Sequence, residues 1–196
     1  RSGEGALRDL EIGVKQLSPM VTWAENLALG VSPRFNCFGE VGPEYLPLVE
    51  QGKFKNFLVS TRSAKQYGGV SNFADPSEAP RSFEMAGGNL KTREILSQIG
   101  TGLWLSNLHY LNWSDRNGAR ITGMSRYACM WVENGELVGP IEDLRFDDSI
   151  YNLFGSQLLG LTTERELSVS TLTYDQRALG GSLVPGVLVE SMVFTL

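Results

Sequence analysis

Residues 102–149 read GLWLSNLHYLNWSDRNGARITGMSRYACMWVENGELVGPIEDLRFDDS, and the fold turns on this stretch. Asn117-Gly118 and Asn134-Gly135 each fall between runs of strand-forming residues. Such a pair suits the two central positions of a tight hairpin turn, where both backbones need positive φ. A β-meander is therefore predicted, with Tyr127–Glu133 pairing with Glu136–Ile141. One strand is expected to start at Leu103. Leu103, Leu105, Asn107 and His109 would share one of its faces, and Trp104, Ser106, Leu108, Tyr110 and Asn112 the other, because side chains alternate along a strand. The same stretch holds Trp104, Trp113, Trp131, Cys129 and the single histidine.

Working outward, Asp147 or Asp148 can cap a helix reaching about Leu159, with Ile150, Leu153, Phe154 and Leu158 facing inward. Leu183–Leu196 reads as a final strand. Upstream, Lys91–Gly102 suits a helix that buries Ile95, Leu96 and Ile99 and stops at Gly100 or Gly102. Leu7, Leu10, Val14 and Leu17 recur at helical spacing, which predicts a helix over Ala6–Leu17 ended by Ser18-Pro19. A second short helix is expected over Thr22–Leu29, stopped by Gly30. Gln51-Gly52 reads as a turn between strands Leu46–Glu50 and Lys53–Thr61. Residues 68–88 mix Gly, Ser, Asn, Asp and Pro and form the one long irregular segment. The expected architecture is α+β: mostly curved antiparallel sheet in a barrel-like meander, with three to four short helices, and residues 1–196 as a single domain.

Composition narrows the function. Glycine at 22 of 196 residues fits a turn-rich, strand-rich fold. Lys and Arg total 17 against 22 Asp and Glu, a net charge of −5. Nucleic-acid domains carry a basic surplus to neutralise phosphates, so direct nucleic-acid binding is disfavoured. No run approaches the roughly 18 apolar residues of a membrane helix, and the first residues do not read as a signal peptide. Cys37 and Cys129 lie far apart with no CxxC, as expected of reduced thiols in a cytoplasmic protein.

His109 with Ser106 or Ser114 and Asp115 is the only hydrolase-like grouping, but all lie on one strand and its exit, with no GxSxG elbow. One histidine and two distant cysteines make no zinc motif. Glu142, Asp143, Asp147 and Asp148 lack EF-hand spacing and read as a solvated helix N-terminus. The pairs Gly68-Gly69, Gly87-Gly88 and Gly180-Gly181 fit no phosphate-binding motif and instead permit bends. Trp104, Tyr110, Trp113, Tyr127 and Trp131 are expected to pack in the core or across strands. No catalytic residue is assigned.

Taken together, the motifs resemble the C-terminal domain of the TldD/PmbA family, whose PmbA branch is also called TldE. Gly102-Leu103-Trp104 is similar to its "GLYV" strand, Arg120–Ala128 to the segment entering its hairpin, and Glu133–Pro140 to its "ENGEI…P" hairpin. Leu48–Lys53, Ser60–Gly68 and Val184-Pro185-Gly186 also match in order. The resemblance implies a cytoplasmic, dimeric protease system acting on unfolded peptides, a family formerly labelled modulator of DNA gyrase. It further implies that this chain is one domain of a larger protein, with the N-terminal domain outside it. The catalytic branch carries HExxxH upstream and a metal-binding cysteine near the last strand. The nearest position here is Thr171, a poor zinc ligand. By resemblance, then, the chain is the non-metal PmbA/TldE-type subunit. It would hold no zinc itself and would form a homodimer or a heterodimer with a TldD-like partner that does. The alternatives are an active metallopeptidase whose HExxxH lies upstream, or a peptide- or protein-binding module that is not an enzyme. Asn107, His109, Asn112 and Arg126 are the expected peptide-cleft residues.

Overall fold

The computed structural model describes residues 5–174 and 177–195. Helix α1 (Arg8–Glu11) precedes strands β1 (Trp23–Asn26), β2 (Tyr45–Glu50) and β3 (Lys53–Phe54). Helix α2 (Thr61–Tyr67), strand β4 (Ser82–Met85) and helix α3 (Ile95–Ile99) follow. The strands β5 (Gly102–Trp104), β6 (Leu108–Asp115), β7 (Arg120–Ser125), β8 (Met130–Glu133) and β9 (Glu136–Pro140) occupy the opening stretch. The chain finishes with β10 (Arg145–Ser149), β11 (Leu158–Val169), β12 (Gly181–Val189) and β13 (Phe194–Thr195).

These strands make three sheets, ordered β11-β12-β4-β1-β2-β3, β13-β10-β7-β6 and β5-β8-β9. Every strand pairing is antiparallel except β12 with β4. The α+β expectation holds, with few short helices, but none of the sheets closes into a barrel.

The two Asn-Gly pairs behave differently. Asn134 and Gly135 take φ of 52° and 80° between β8 and β9, the predicted two-residue turn. Asn117-Gly118 lies instead in a longer loop, and the positive φ falls on Ala119, at 50°. There the Asp115 carboxylate accepts a hydrogen bond from the Asn117 N–H at 3.0 Å, and Ala119 is fully buried in the core. Side-chain capping and burial override the local turn preference. The strand expected from Leu103 also divides, because β5 pairs with β8 while β6 pairs with β7. Leu103 and His109 therefore belong to different sheets.

Other local expectations yield to tertiary contacts. The Ala6–Leu17 helix shrinks to the single turn α1, and Gly13 follows it with a φ of 75°. Residues 23–26 form β1 rather than a helix, since β1 lies between β2 and β4 with Trp23, Ala24 and Glu25 all buried. Gly30 still acts as the expected stop, closing a short 3₁₀ turn over Leu27–Leu29 with a φ of 73°. Of the strand expected over Lys53–Thr61 only β3 forms, residues 55–60 are irregular, and helix α2 starts at Thr61, where the Ser60 hydroxyl caps it by accepting from the Ser63 N–H at 3.2 Å. Asp147 and Asp148 lie on β10, and the helical turn over Asn152–Ser156 begins only afterwards.

The main core joins α1, the six-stranded sheet and that helical turn through Leu10, Leu17, Val21, Trp23, Val49, Tyr151 and Leu161, among others. The Trp23 ring packs edge-on to Phe154 at 5.4 Å and lies 6.2 Å from Phe83. Tyr151 ties in the N-terminal segment. Its hydroxyl donates to the Ala6 carbonyl at 2.6 Å and accepts from the Leu10 N–H at 3.1 Å. Tyr151→Phe leaves both groups without this partner and is expected to cost about 1–3 kcal/mol in urea denaturation. Faster amide exchange confined to residues 6–11 would accompany it; exchange unchanged there would contradict this role.

Glu25 is the other buried anchor. Its carboxylate accepts from the backbone N–H groups of Arg81 and Ser82 at 3.1–3.3 Å. Burial pushes its carboxyl above the ordinary range, opposed by the Ser82 and Arg81 backbone N–H groups and by the Arg81 charge. A raised folded pKa means the folded state keeps its proton after the unfolded chain has lost it. This group's contribution to stability is thus fullest in acid and is lost as pH rises through the folded pKa. The stability of wild type minus that of Glu25→Gln should fall with rising pH across that window; a flat difference would refute it.

Candidate functional site

Strand β6 forms one edge of its sheet, and from Tyr110 onward every residue of it is exposed. Its register against β7 slips twice. His109 faces Met124 and Asn112 faces Thr122, so β6 has one residue more than β7 between these pairs. That surplus makes a β-bulge, and Tyr110 takes a φ of 51° within it. The bulge presses onto Gly123 of β7. A Cβ there would meet the His109 carbonyl oxygen, Leu111 Cδ2 and Phe146 Cε1, each at 2.9 Å. Glycine at 123 is thus what lets β6 fold over the sheet.

Just past β7 the chain turns sharply. The Arg126 N–H donates to the Asn107 carbonyl at 3.1 Å, and the buried Cys129 thiol donates to the Arg126 carbonyl at 3.3 Å. The Cys129 N–H reaches the Tyr127 carbonyl at 2.8 Å. Ser125, fully buried, locks the adjoining loop: its N–H donates to the Leu144 carbonyl and its hydroxyl accepts from the Leu144 N–H, both at 2.8 Å. Tyr127 is thereby held at a φ of 66°. Positive φ is costly for so bulky a side chain, and such strain persists only where surrounding contacts enforce it.

Bulge and turn together build an aromatic cluster. The His109 ring lies 4.4 Å from Tyr110 and 6.5 Å from Tyr127. The Arg126 guanidinium stands 5.9 Å from the Tyr110 ring centre and 5.7 Å from that of Tyr127. Tyr110 is 72% exposed and Tyr127 71%, so both rings face solvent. Packing in the core or across strands was expected of these two tyrosines; neither is buried in the core, because the bulge and turn aim them outward. Trp113 and Trp131 also remain more than a third exposed.

Of the expected cleft residues, Asn107, His109 and Arg126 gather at this one end of β6. Asn112 lies further along the strand, and its side-chain oxygen accepts from the Trp113 N–H at 2.8 Å. Among the described residues no hydrogen bond joins the His109 ring to Ser106, Ser114 or Asp115. Thr171 lies apart, exposed in the connection between β11 and β12. The four acids do not form a solvated helix start. Arg120 grips the Asp147 carboxylate at 2.6 and 2.9 Å, and Asp148 is only 2% exposed. The Ser114 hydroxyl, then Arg120, hold the Asp147 carboxyl below the ordinary range. No group of three or more metal-binding side chains is found among the described residues. Nor is any helix there long and apolar enough to cross a membrane. No residue-level signal marks the left-handed backbones of Tyr110 and Tyr127, which depend on contacts with β7 and Cys129.

A family model described as the PmbA/TldA metallopeptidase C-terminal domain matches residues 41–196, most of the chain. The chain belongs to the PmbA/TldD family. No curated protein matches the chain. Among solved structures, TldE from Thermococcus kodakarensis superposes with a TM-score of 0.71 at 17% identity, over 91% of this chain and 40% of that one. A Thermotoga maritima protein described as a "putative modulator of a DNA gyrase" gives 0.73 at 16% identity, over 99% of this chain and 43% of its own. A Bacteroides thetaiotaomicron protein described in similar words gives 0.73 at 14%, over 99% and 40%. At such identities these likenesses establish the shared fold. The chain spans about two fifths of the length of those proteins.

The bulge against Gly123 is directly testable. Gly123→Ala should destabilise the domain by about 1–3 kcal/mol, as overpacking does. Gly139→Ala, with nothing within 4 Å of its added Cβ, serves as the control and should stay within about 0.5 kcal/mol of wild type. Equal denaturation midpoints for the two variants would remove Gly123 from this role.

Proposed function

We propose that this domain belongs to a cytoplasmic TldE-type subunit that holds unfolded peptides for a zinc metallopeptidase partner of the TldD type. The observation that carries the reading is the outer edge of β6. Its sheet ends there, its apolar side chains Tyr110, Leu111 and Trp113 are exposed, and Arg126 stands at one end. An extended peptide can add to such an edge through backbone hydrogen bonds, which bind any sequence of sufficient length. Unprotected edges invite unwanted pairing, so a long exposed edge calls for an occupant. Family membership and the hydroxyl of Thr171 near the position of the catalytic branch's metal cysteine favour the non-metal role. Asn107, His109, Asn112 and Arg126 would then line the cleft.

Full-length protein, purified alone and mixed with a TldD-like subunit bearing HExxxH, separates the readings. Cleavage of an unfolded peptide and stoichiometric zinc are expected only in the mixture, with the two proteins co-eluting as a heterodimer. Cleavage by the protein alone, inhibited by a chelator, would mean an active metallopeptidase and end the supporting-subunit reading.

A further inference from the structure

Arg126 stands at the end of the β6 edge, beside two exposed tyrosines. Its guanidinium has no ion-pair partner and no side-chain hydrogen bond among the described residues. Glu142 and Asp143, in the loop next to Ser125, do not reach it. Yet the group has neighbours that hold it, since the Tyr110 and Tyr127 rings lie within 6 Å of it and the His109 ring packs at a tilt against Tyr110. Cation–π contacts of this kind fix a guanidinium while leaving its N–H donors free. Both flanking tyrosines sit on left-handed backbone, each enforced by separate contacts, so two strained residues serve a single cation.

Chain direction says what the guanidinium would meet. The sheet β13-β10-β7-β6 is antiparallel throughout. A peptide extending that order along β6 runs opposite to it and finishes beside Leu108, the first residue of the strand. Arg126 is level with this end, because its N–H bonds the Asn107 carbonyl. Its guanidinium stands 5.9 Å from the ring centre of Tyr110, a β6 residue, so the side chain reaches from the turn after β7 towards β6. Strands are spaced about 4.8 Å apart, which a side chain reaching to β6 can bridge. We infer that Arg126, braced by Tyr110 and Tyr127, is a seat for the C-terminal carboxylate of an extended peptide laid antiparallel on β6, an inference that rests on the edge-binding reading above. The planar guanidinium matches a carboxylate with two parallel N–H···O bonds, which neither an amide nor a lysine ammonium reproduces. Backbone pairing then supplies sequence-tolerant affinity, while the seat selects chain ends and sets the register of the bound peptide.

The test uses full-length protein and fluorescence anisotropy of an N-terminally labelled ten-residue peptide lacking Asp and Glu. The peptide is made as the free acid, as the C-terminal amide, and as an amide carrying one Asp near its end. The free acid should bind about tenfold more tightly than the plain amide, as loss of a charge-assisted contact implies. Arg126→Gln should bring the acid down to the affinity of the amide, and Arg126→Lys should restore only part of the difference, with thermal melts confirming folding. Equal affinities of acid and amide for the wild type would overturn the seat while leaving edge binding intact. No binding of any peptide would overturn the edge reading and the seat together. An Asp-bearing amide that matches the free acid would overturn the assignment to the chain end.

Discussion

The buried carboxylate of Asp148 is the joint on which the rest of the molecule hangs. It sits on β10, and one oxygen accepts from the Ser149 N–H at 2.7 Å and the Asn152 side chain at 3.0 Å. The other accepts from the Val193 N–H at 3.0 Å, which brings in the segment leading to β13. A buried charge is tolerated only when its hydrogen bonds are met, and here three donors meet them. The turn begun at Asn152 keeps Tyr151 and Phe154 against the six-stranded sheet, where Tyr151 also catches the N-terminal segment. One side chain thus couples the sheet that carries the candidate site to the core that gives the domain its stability.

That coupling explains how an exposed strand can be held rigidly. Little of β6 is buried, so it contributes little hydrophobic stabilisation of its own. Its position comes from β7, from the close approach at Gly123 and from the turn locked by Ser125 and Cys129. The backbone strain at Tyr110 and Tyr127 is offset by these neighbouring contacts. A rigid base under an open edge is what peptide capture needs, since an edge that had to order itself first would bind more weakly.

Legibility in the sequence varied with how local the deciding contact was. The turn at Asn134-Gly135, the stop at Gly30 and, within the helix expected over Lys91–Gly102, the shorter α3 at Ile95–Ile99 all follow from residues within a few positions. At Asn117-Gly118 the same dipeptide signal met a competing cap from Asp115 and the burial of Ala119, and the turn took another shape. The helix expected over Thr22–Leu29 became a central strand because β2 and β4 offered hydrogen bonds on both sides. Asn107, His109 and Arg126, expected on the meander, lie together at one end of β6. The outward aim of Tyr110 and Tyr127 was not legible, since alternation along a strand cannot foresee a bulge that turns a side chain out.

By itself the sequence determined the α+β class, the family, the strand-rich opening stretch and the type of residue at the candidate site. These depend on composition, turn chemistry and the order of short motifs, which are properties of neighbours along the chain. Tertiary structure alone decided that the strands divide into three separate sheets, that β6 is left as an edge, and that an arginine lies beside two exposed tyrosines. The physical reason is range. Sheet order, bulge position and the burial of Asp148 arise from contacts between residues distant in sequence, and no local pattern encodes which distant partner a strand will meet.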